Sequence, residues 1–350
     1  MLRLIAGLSL VLLLLILTTL TCIIVIAPKL ANSDQVAVFH SDYVDHLGIF
    51  VNHRLSMLDV DRQLHAAVPL PGYVLAAHWS ADGKTLLMQL VPDRYVVWQT
   101  APFWEWNGHT LTNRTDLLNT IFDFDMLPDG DLVIVEQIPM NGAAVMRVAP
   151  DGTREIITAL RGAFTIDASP DGNWAMVNGV DEQGKMFTRI VNLATGEHRL
   201  INASILALSI FQYAWSGDGD TLLYVRNSPT LRGIQQQQVS TGAEQMLWTG
   251  AVNGPLVPSW TGEWLALTGL EGYASPITLL KLVDADAALR ELPGGAQFVH
   301  NLTWSPGGKL SYFAMLPQTW LFIVHDTVTA LPRARLVVDE KIAPPVWRPQ

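Results

Sequence analysis

The hydrophobic positions of this chain follow two different patterns, and the first is a single apolar segment near the N-terminus. Residues Leu4 to Ala27 form 24 consecutive uncharged positions, of which 16 are Leu, Ile or Val. As an α-helix the segment would be about 36 Å long, which exceeds the roughly 30 Å of a bilayer's hydrocarbon core. The pattern predicts an uncleaved transmembrane anchor (residues 1–30, helix about 4–27). A cleavable signal peptide is the alternative, although its apolar region usually has only about 7–15 residues.

The residues that flank the apolar segment indicate its orientation. Arg3 and the terminal amine precede it and Lys29 follows it, whereas the linker (31–45) carries Asp34, Asp42 and Asp45. Positive residues tend to stay on the cytoplasmic side of a membrane. We therefore expect a single-pass membrane protein whose large C-terminal part is extracytoplasmic, that is, periplasmic or extracellular.

After residue 45 the hydrophobic runs become short and are separated by a recurring turn phrase. The phrase is a degenerate Trp-Ser-Pro-Asp-Gly whose copies start 42 to 47 residues apart, a spacing typical of propeller repeats. The copies begin at Trp79, Met126, Ala168, Trp215, Pro258 and Trp304, and a truncated copy begins at Trp347. Proline presets φ, Ser or Asp bonds the local backbone, and glycine accepts positive φ, so the phrase predicts a tight turn. We expect a structural role for its Asp and Gly residues: Asp82, Gly83, Asp129, Gly130, Asp171, Gly172, Asp218 and Gly219.

Each phrase is followed by a short apolar run of the kind that forms buried strands. Examples are residues 85–90, 131–135, 174–177, 221–225 and 264–267. In several copies a second turn follows 22 to 24 residues after the first glycine, at Gly152, Gly196 and Gly242. Two hairpins, or four strands, per repeat correspond to one propeller blade.

The phrase also carries a family resemblance. A Trp-Ser-Pro-Asp-Gly turn, an apolar strand and a later Thr-Gly turn, as at Thr195-Gly196, resemble the TolB-type, WD-repeat-like β-propeller family over roughly residues 46–350. The resemblance implies a ring of four-stranded blades that often serves as a protein-binding platform. No α/β domain precedes the repeats in this sequence as it does in TolB, so the partners of TolB are not carried over.

The resemblance and the repeat count predict an all-β, seven-bladed propeller, with six or eight blades as alternatives. A C-terminal strand near 345–347 would pair with N-terminal strands near 47–51, 55–60 and 63–68. This pairing would complete the seventh blade and hide both sheet edges, which otherwise invite aggregation.

Composition narrows the expected function. The net charge of −10 argues against a nucleic-acid partner, which needs a basic face. The only cysteine, Cys22, lies in the apolar segment, so a disulfide framework or a cysteine zinc site is not expected. Nucleophile elbows, zinc-protease helices, phosphate loops and dinucleotide fingerprints are all missing from the sequence. We expect no catalytic residue and no cofactor.

Two groups of residues have side chains that can bind metals, and neither group predicts a metal site. His40, Asp42, Asp45 and His46 are close in sequence but lack a spacing that fixes ligand geometry. A second group resembles a calcium loop only loosely, because its Asp-Gly pair belongs to the repeated turn. That group is Asp123, Asp125, Asp129 and Asp131.

Binding is expected on the irregular loops that lie opposite the phrase turns, since variable loops on a rigid frame often carry function. The candidate residues there are Asp181, Glu182, Arg226, Arg232, Glu271 and Tyr273. Phe103, Trp104 and Trp106 are further candidates. These three either project as an aromatic patch or wedge between blades.

Three functions are compatible with this pattern. The leading expectation is a membrane-anchored, non-catalytic platform for a protein partner. The first alternative is a receptor for a small molecule, peptide or glycan, which requires an open channel mouth. The second is a propeller hydrolase or lyase, which requires at least two titratable side chains within hydrogen-bond reach at that mouth.

Overall fold

The fold is defined by the part of the chain that follows the predicted anchor and linker. In a computed structural model the described residues are 46–51, 54–59, 64–80, 83–91, 102–114, 121–138, 142–201, 213–227, 232–250, 252, 255–268, 277–282, 289–292, 298–316, 319–327, 331–338 and 346–347. The anchor (4–27), the linker (31–45) and Asp82 lie outside these ranges. Within them, no helix has the length and apolar character needed to span a bilayer.

Every regular element in these ranges is a β-strand, and every strand pairing is antiparallel. The first three strands are β1 (His46–Val51), β2 (Arg54–Asp59) and β3 (Leu64–Pro69). Blade 1 contains β4 (Tyr73–Trp79), β5 (Leu86–Val91), β6 (Phe103–Trp106) and β7 (Leu111–Asn113). Blade 2 contains β8 (Ile121–Met126), β9 (Leu132–Ile138), β10 (Gly142–Val148) and β11 (Arg154–Ala159). Blade 3 contains β12 (Ala163–Ala168), β13 (Trp174–Val180), β14 (Met186–Asn192) and β15 (His198–Leu200).

The remaining strands continue the same order. Blade 4 contains β16 (Tyr213–Trp215), β17 (Thr221–Asn227), β18 (Arg232–Gln238) and β19 (Glu244–Thr249). Blade 5 contains β20 (Leu256–Pro258), β21 (Trp264–Leu267), β22 (Thr278–Lys281) and β23 (Leu289–Glu291). Blade 6 contains β24 (Phe298–Trp304), β25 (Lys309–Leu316), β26 (Thr319–Asp326) and β27 (Leu331–Val338). The last strand is β28 (Val346–Trp347).

A composite sheet joins the two ends of the described chain. β28 pairs with β1, with Leu47 opposite Trp347 and Gly48 opposite Val346, and the strand order is β28-β1-β2-β3. The predicted all-β propeller with four-stranded blades is confirmed. Six blades of consecutive strands, the alternative count and not the preferred seven, are present in the described residues. The composite sheet differs from them because β1–β3 take their fourth strand from the other end of the chain.

The phrase forms the tight turn between the first two strands of a blade. In blade 2 the Gly130 N–H donates to the Leu127 carbonyl at 3.0 Å, and Gly130 has a φ of +91°. The Asp129 carboxylate accepts the Asp131 N–H at 3.1 Å. The guanidinium of Arg147, on β10, pairs with both of these aspartates. The side chains of the phrase are therefore used to hold the hairpin together.

The apolar core lies between neighbouring blades. Between blades 2 and 3, Val133 and Val135 of β9 share one buried cluster with Ala175 and Val177 of β13. Comparable clusters lie between blades 1 and 2, 3 and 4, 4 and 5, and 5 and 6. Fully burying one Val or Leu side chain contributes about 1.5–3 kcal/mol. Stacking the sheets face to face is therefore the main stabilising interaction of the fold.

Candidate functional site

The candidate site lies where the innermost strands of blades 1 to 3 line the channel. His78 on β4, Asp125 on β8 and Asp167 on β12 occupy the same repeat position, the residue just before the phrase. Asp123 lies two residues before Asp125 and therefore points to the same side of β8. The repeat thus collects one histidine and three carboxyl groups that are far apart in sequence.

Two of the carboxylates also have a structural role. An innermost strand has one edge without a partner strand, so its backbone groups need other hydrogen-bond partners. Asp123 accepts the Ile166 N–H at 3.0 Å, and Asp125 accepts the Ala168 N–H at 2.8 Å. These bonds join the edge of β12 in blade 3 to side chains of blade 2.

Tryptophans of the phrase form the complementary bonds to carbonyl groups. The Trp215 indole N–H donates to the Asp167 carbonyl at 3.1 Å, and the Trp304 indole N–H donates to the Val257 carbonyl at 2.8 Å. In both cases the acceptor is the residue just before the phrase of the preceding blade. The phrase tryptophan therefore links neighbouring blades as well as filling the core.

His78 and Asp125 form a direct pair across blades 1 and 2. The His78 Nδ1 atom lies 2.9 Å from Asp125 Oδ1, and the two side chains are 34% and 15% exposed. The His78 ring also meets Phe124 edge to face, with ring centroids 5.0 Å apart. Desolvation lowers the pKa of His78, but attraction by Asp125, their hydrogen bond and the nearby Asp123 and Asp167 outweigh it and raise that pKa.

Asp167 differs from the aspartate at the same position in blade 2. No described residue donates a hydrogen bond to its carboxyl group. Desolvation, together with repulsion from Asp125 and Asp123, raises the pKa of Asp167 to about 8 despite the attraction of His78. Desolvation also raises the pKa of Asp123 to about 6, against the opposing effect of the Ile166 N–H and His78.

A network of neutral polar groups borders Asp167. The Asn178 amide donates to the Thr165 hydroxyl at 2.9 Å and to the Tyr213 hydroxyl at 3.2 Å. The Thr188 hydroxyl donates to the Asn178 carbonyl oxygen at 2.7 Å. Burial, and then the charge of Asp167, raise the pKa of Tyr213, so its hydroxyl stays protonated and available as a donor.

Two cavities give access to these groups. One cavity has a volume of about 330 Å³, and Asp123, Asp167, Asn178 and Tyr213 line it. The cavity at the channel mouth has a volume of about 470 Å³, and its polar side chains are His78, Asp125 and Ser259. Its apolar walls are phrase residues of several blades, namely Trp79, Pro128, Pro170, Trp215, Pro258 and Trp260. Among the described residues, neither lysine nor arginine lines either cavity.

Asp181 and Glu182, two of the residues predicted from the irregular loops, lie in the turn between β13 and β14. Asp181 accepts the N–H groups of Gln183 at 2.9 Å and Lys185 at 2.8 Å, so it closes that turn. Glu182 forms an exposed ion pair with Arg161. Neither residue lines either of the two described cavities.

The two arginines among those predictions lie on blade 4. Arg226 donates to the Gln235 side-chain oxygen at 2.9 Å and lies 3.8 Å from a Glu244 carboxylate oxygen. It therefore belongs to a polar network within the blade. Arg232 is exposed at the start of β18, and Glu271 and Tyr273 lie outside the described residues.

The aromatic candidates on β6 are mainly core residues. Phe103 and Trp106 are each 1% exposed, and Phe103 meets Phe124 of blade 2 edge to face at 4.9 Å. Trp104 is half-buried. Phe103 and Trp106 wedge between sheets because large aromatics fill that space, so they do not form a projecting patch.

The acidic residues that resemble a calcium loop are accounted for by other contacts. Asp129 and Asp131 pair with Arg147, while Asp123 and Asp125 bond the backbone of β12. Within the described ranges, no three His, Cys, Asp or Glu side chains are grouped so that they could hold a metal ion. His40, Asp42 and Asp45 lie outside these ranges.

The residues of the channel were missed as a site because each one is unremarkable by itself. Aligning the copies of the phrase shows His78, Asp125 and Asp167 at one inward position of three consecutive repeats. Trp260 has a different signal, since the fifth copy departs from the pattern by placing Trp where the others have Pro, Ala or Gly.

The strand order, the cores between blades and the polar channel define a β-propeller of four-stranded blades. Its fold is TolB-like: TolB from Acinetobacter baumannii superposes with a TM-score of 0.51 at 14% identity, covering 87% of this chain and 82% of that one. The resemblance predicted from the phrase is thus confirmed for the fold.

Propeller enzymes have similar folds. A puromycin hydrolase gives a TM-score of 0.60 at 16% identity over 88% of this chain and 56% of its own. An oligogalacturonate lyase solved in complex with manganese gives 0.56 at 15% identity over 81% and 84%. No protein-family model and no curated protein matches the chain. At these identities the similarity establishes the fold alone.

Proposed function

We propose that this chain is a membrane-anchored, non-catalytic propeller that binds a protein partner through the mouth of its channel. The observation that carries the proposal is the cavity of about 470 Å³ walled by tryptophans and prolines. Trp260 on its rim is 51% exposed, although large aromatics are usually buried. Trp79 and Trp215, which also line the cavity, are buried, so Trp260 is the tryptophan available to a partner. Tryptophan is enriched among the residues that dominate protein–protein binding.

The mouth is also rigid, which favours binding. The Trp260 indole N–H donates to the Trp304 carbonyl at 2.8 Å, so an exposed ring is held in one orientation. Pro128 and Pro170, which line the same cavity, belong to hydrogen-bonded turns. A surface that is already ordered loses little conformational entropy on association.

The proposal includes a closed ring in which the composite sheet acts as a seventh blade. β28 contacts both β4 of blade 1 and β24 of blade 6, which is the position of an innermost strand. Closure would leave no exposed lateral sheet face and would keep the channel mouth circular.

The remaining part of the proposal concerns location. The apolar segment 4–27 would tether the propeller to a membrane, and the acidic balance of the chain would keep it away from anionic headgroups. The mouth would then be free to meet an extracytoplasmic partner.

The proposal is tested by photo-crosslinking in the native membrane. A photoreactive amino acid replaces Trp260 in the full-length chain, and the matched control carries it at Ile156, which is 59% exposed on outer strand β11. We expect a discrete adduct from position 260 and none from position 156. Adducts from position 156 alone, or equal adducts from both, would contradict a partner site at the mouth.

A second candidate function is a hydrolase or lyase, which the His78–Asp125 pair at 2.9 Å favours. A nucleophilic site needs a nucleophile, a base and a group that orients the base, and a histidine with an aspartate can supply the last two. The hydroxyl at this mouth, that of Ser259, accepts the Trp264 N–H at 3.1 Å and lies 3.2 Å from the Thr261 hydroxyl, so it serves the turn. Turnover of puromycin or oligogalacturonate that is lost in His78→Ala would favour the enzyme over the platform.

A further inference from the structure

Three carboxyl groups gather in the channel, and the residues that line the two described cavities offer few basic groups to pair with them. Asp123, Asp125 and Asp167 face the channel with His78 as the single basic group among the residues that line the two cavities. Five arginines of the described residues instead form ion pairs with carboxylates that line neither cavity. These pairs are Arg114–Glu105, Arg147–Asp129, Arg154–Glu136, Arg161–Glu182 and Arg226–Glu244.

The carboxyl group of Asp125, at the same repeat position in blade 2, accepts hydrogen bonds from this chain, whereas that of Asp167 accepts none from the described residues. Asp125 bonds the Ala168 N–H of the next blade at 2.8 Å and pairs with His78 at 2.9 Å. No described donor reaches the Asp167 carboxyl group, although its own carbonyl accepts the Trp215 indole N–H. A desolvated carboxylate without donors is unfavourable, so a donor from another molecule would relieve that cost.

The surroundings of Asp167 suit an organic cation with an apolar stem. The cavity of about 330 Å³ brings the hydroxyl of Tyr213 and the amide of Asn178 next to the carboxyl groups of Asp123 and Asp167. Trp215 and Trp260 line the cavity at the channel mouth. Aromatic faces attract cations and cover hydrocarbon. Lysine and arginine side chains combine a charged head with such a stem.

We propose that the channel receives the charged head of a lysine or arginine side chain from the partner protein. The Asp167 carboxylate accepts its N–H groups, Asp123 adds negative charge beside it, and the tryptophans of the mouth cover the stem. This inference rests on the proposed function, because the stem must enter through the mouth at which the partner docks.

The test uses two matched small probes on the full-length chain in a neutral detergent at pH 8.5. n-Propylguanidinium is cationic and n-propylurea is its neutral analogue, and binding is followed by tryptophan fluorescence. We expect the cation to bind at least about tenfold more tightly, because hydrogen bonds to an ionised carboxylate are roughly twice as strong as neutral ones. Asp167→Asn should weaken cation binding about tenfold, whereas Glu155→Gln, which removes one charge from exposed strand β11, should leave it unchanged.

Equal affinity for the two probes, or unchanged cation binding in Asp167→Asn, would overturn the inference. The crosslinking experiment distinguishes this failure from failure of the proposed function. If Asp167→Asn retains the adduct from position 260 at full yield, the partner docks at the mouth without a channel cation, and only the inference is overturned. If position 260 yields no adduct in the unmodified background, both are overturned. Loss of cation binding together with a reduced adduct yield supports both.

Discussion

Replacing Asp167 by asparagine should stabilise the folded protein, and the gain should grow as the pH rises. The pKa of Asp167 is raised from 3.8 to about 8 by desolvation and by the neighbouring carboxylates. The folded state therefore holds this proton more tightly than the unfolded state does. It follows that Asp167 lowers the free energy of unfolding progressively between about pH 4 and pH 8.

The size of the effect follows from the same shift. Each pH unit between the two pKa values costs about 1.4 kcal/mol, so the upper limit at pH 7 is about 4 kcal/mol. Asp167 is half-buried, and channel water screens part of this cost, so we expect a gain of about 2–4 kcal/mol in Asp167→Asn at pH 7. Near pH 4 the variant and the parent should be equally stable.

The assay is urea unfolding of the full-length chain in a neutral detergent, followed by tryptophan fluorescence at pH 4.5, 6, 7.5 and 9. The quantity of interest is the difference in free energy of unfolding between Asp167→Asn and the parent. It should rise with pH and level off above pH 8, while Glu155→Gln should show a flat difference. A difference for Asp167→Asn that is flat or falls with pH would refute the claim that desolvation raises the pKa of Asp167.

Further predictions test the core between blades, the rim of the channel mouth, the backbone at two glycines and the pairing of β28 with β1. Phe103→Ala should lower the free energy of unfolding by about 3–5 kcal/mol in urea titrations, because it empties a buried site between blades, and a loss below about 1 kcal/mol would contradict its burial. Trp260→Ala should cost less than about 1 kcal/mol in the same titrations, because half of the ring is exposed. Gly162→Ala should prevent stable folding, since a Cβ there would lie 1.8 Å from a backbone oxygen. Gly130→Ala has open space around the new Cβ and should cost only about 1–2 kcal/mol of left-handed strain. Equal thermal midpoints for the two variants would contradict this difference. Deleting residues 346–350 should expose the edge of β1 and cause aggregation measurable by light scattering, and a soluble truncated protein with the parent's midpoint would count against ring closure.

The architecture was predictable because the signal repeats. Several copies of one turn phrase, each followed by an apolar run, define the hairpins, and the strand that follows the phrase in blade 2, β9 (Leu132–Ile138), begins within one residue of the predicted run. Degenerate copies such as the one at Pro258 do not obscure the pattern, because the spacing supports them. A count of strands is less secure at the chain ends, where the composite sheet depends on a pairing over long sequence distance.

The site was harder to predict because the phrase turns are alike in every repeat, which suggested that they have a purely structural role. The phrase turns do hold hairpins, as Gly130 and Asp129 show, and binding was therefore expected on the opposite loops. The structure places Asp181 in a turn and Arg226 in a network within its blade. The cavity is at the end that carries the phrases, where residues of five blades converge on one point. Convergence around an axis arises only when the blades are arranged around it, so the sequence of a single repeat does not reveal it.

The most direct test of the account is the solvent accessibility of Trp260 in the native membrane, measured by oxidative footprinting. The internal control is Met186, which is 39% exposed at the start of β14 and does not line the mouth. We predict that Trp260 is protected in membranes and becomes reactive after purification in detergent, while Met186 reacts equally in both. Equal reactivity of Trp260 in the two preparations would contradict a partner seated on the channel mouth.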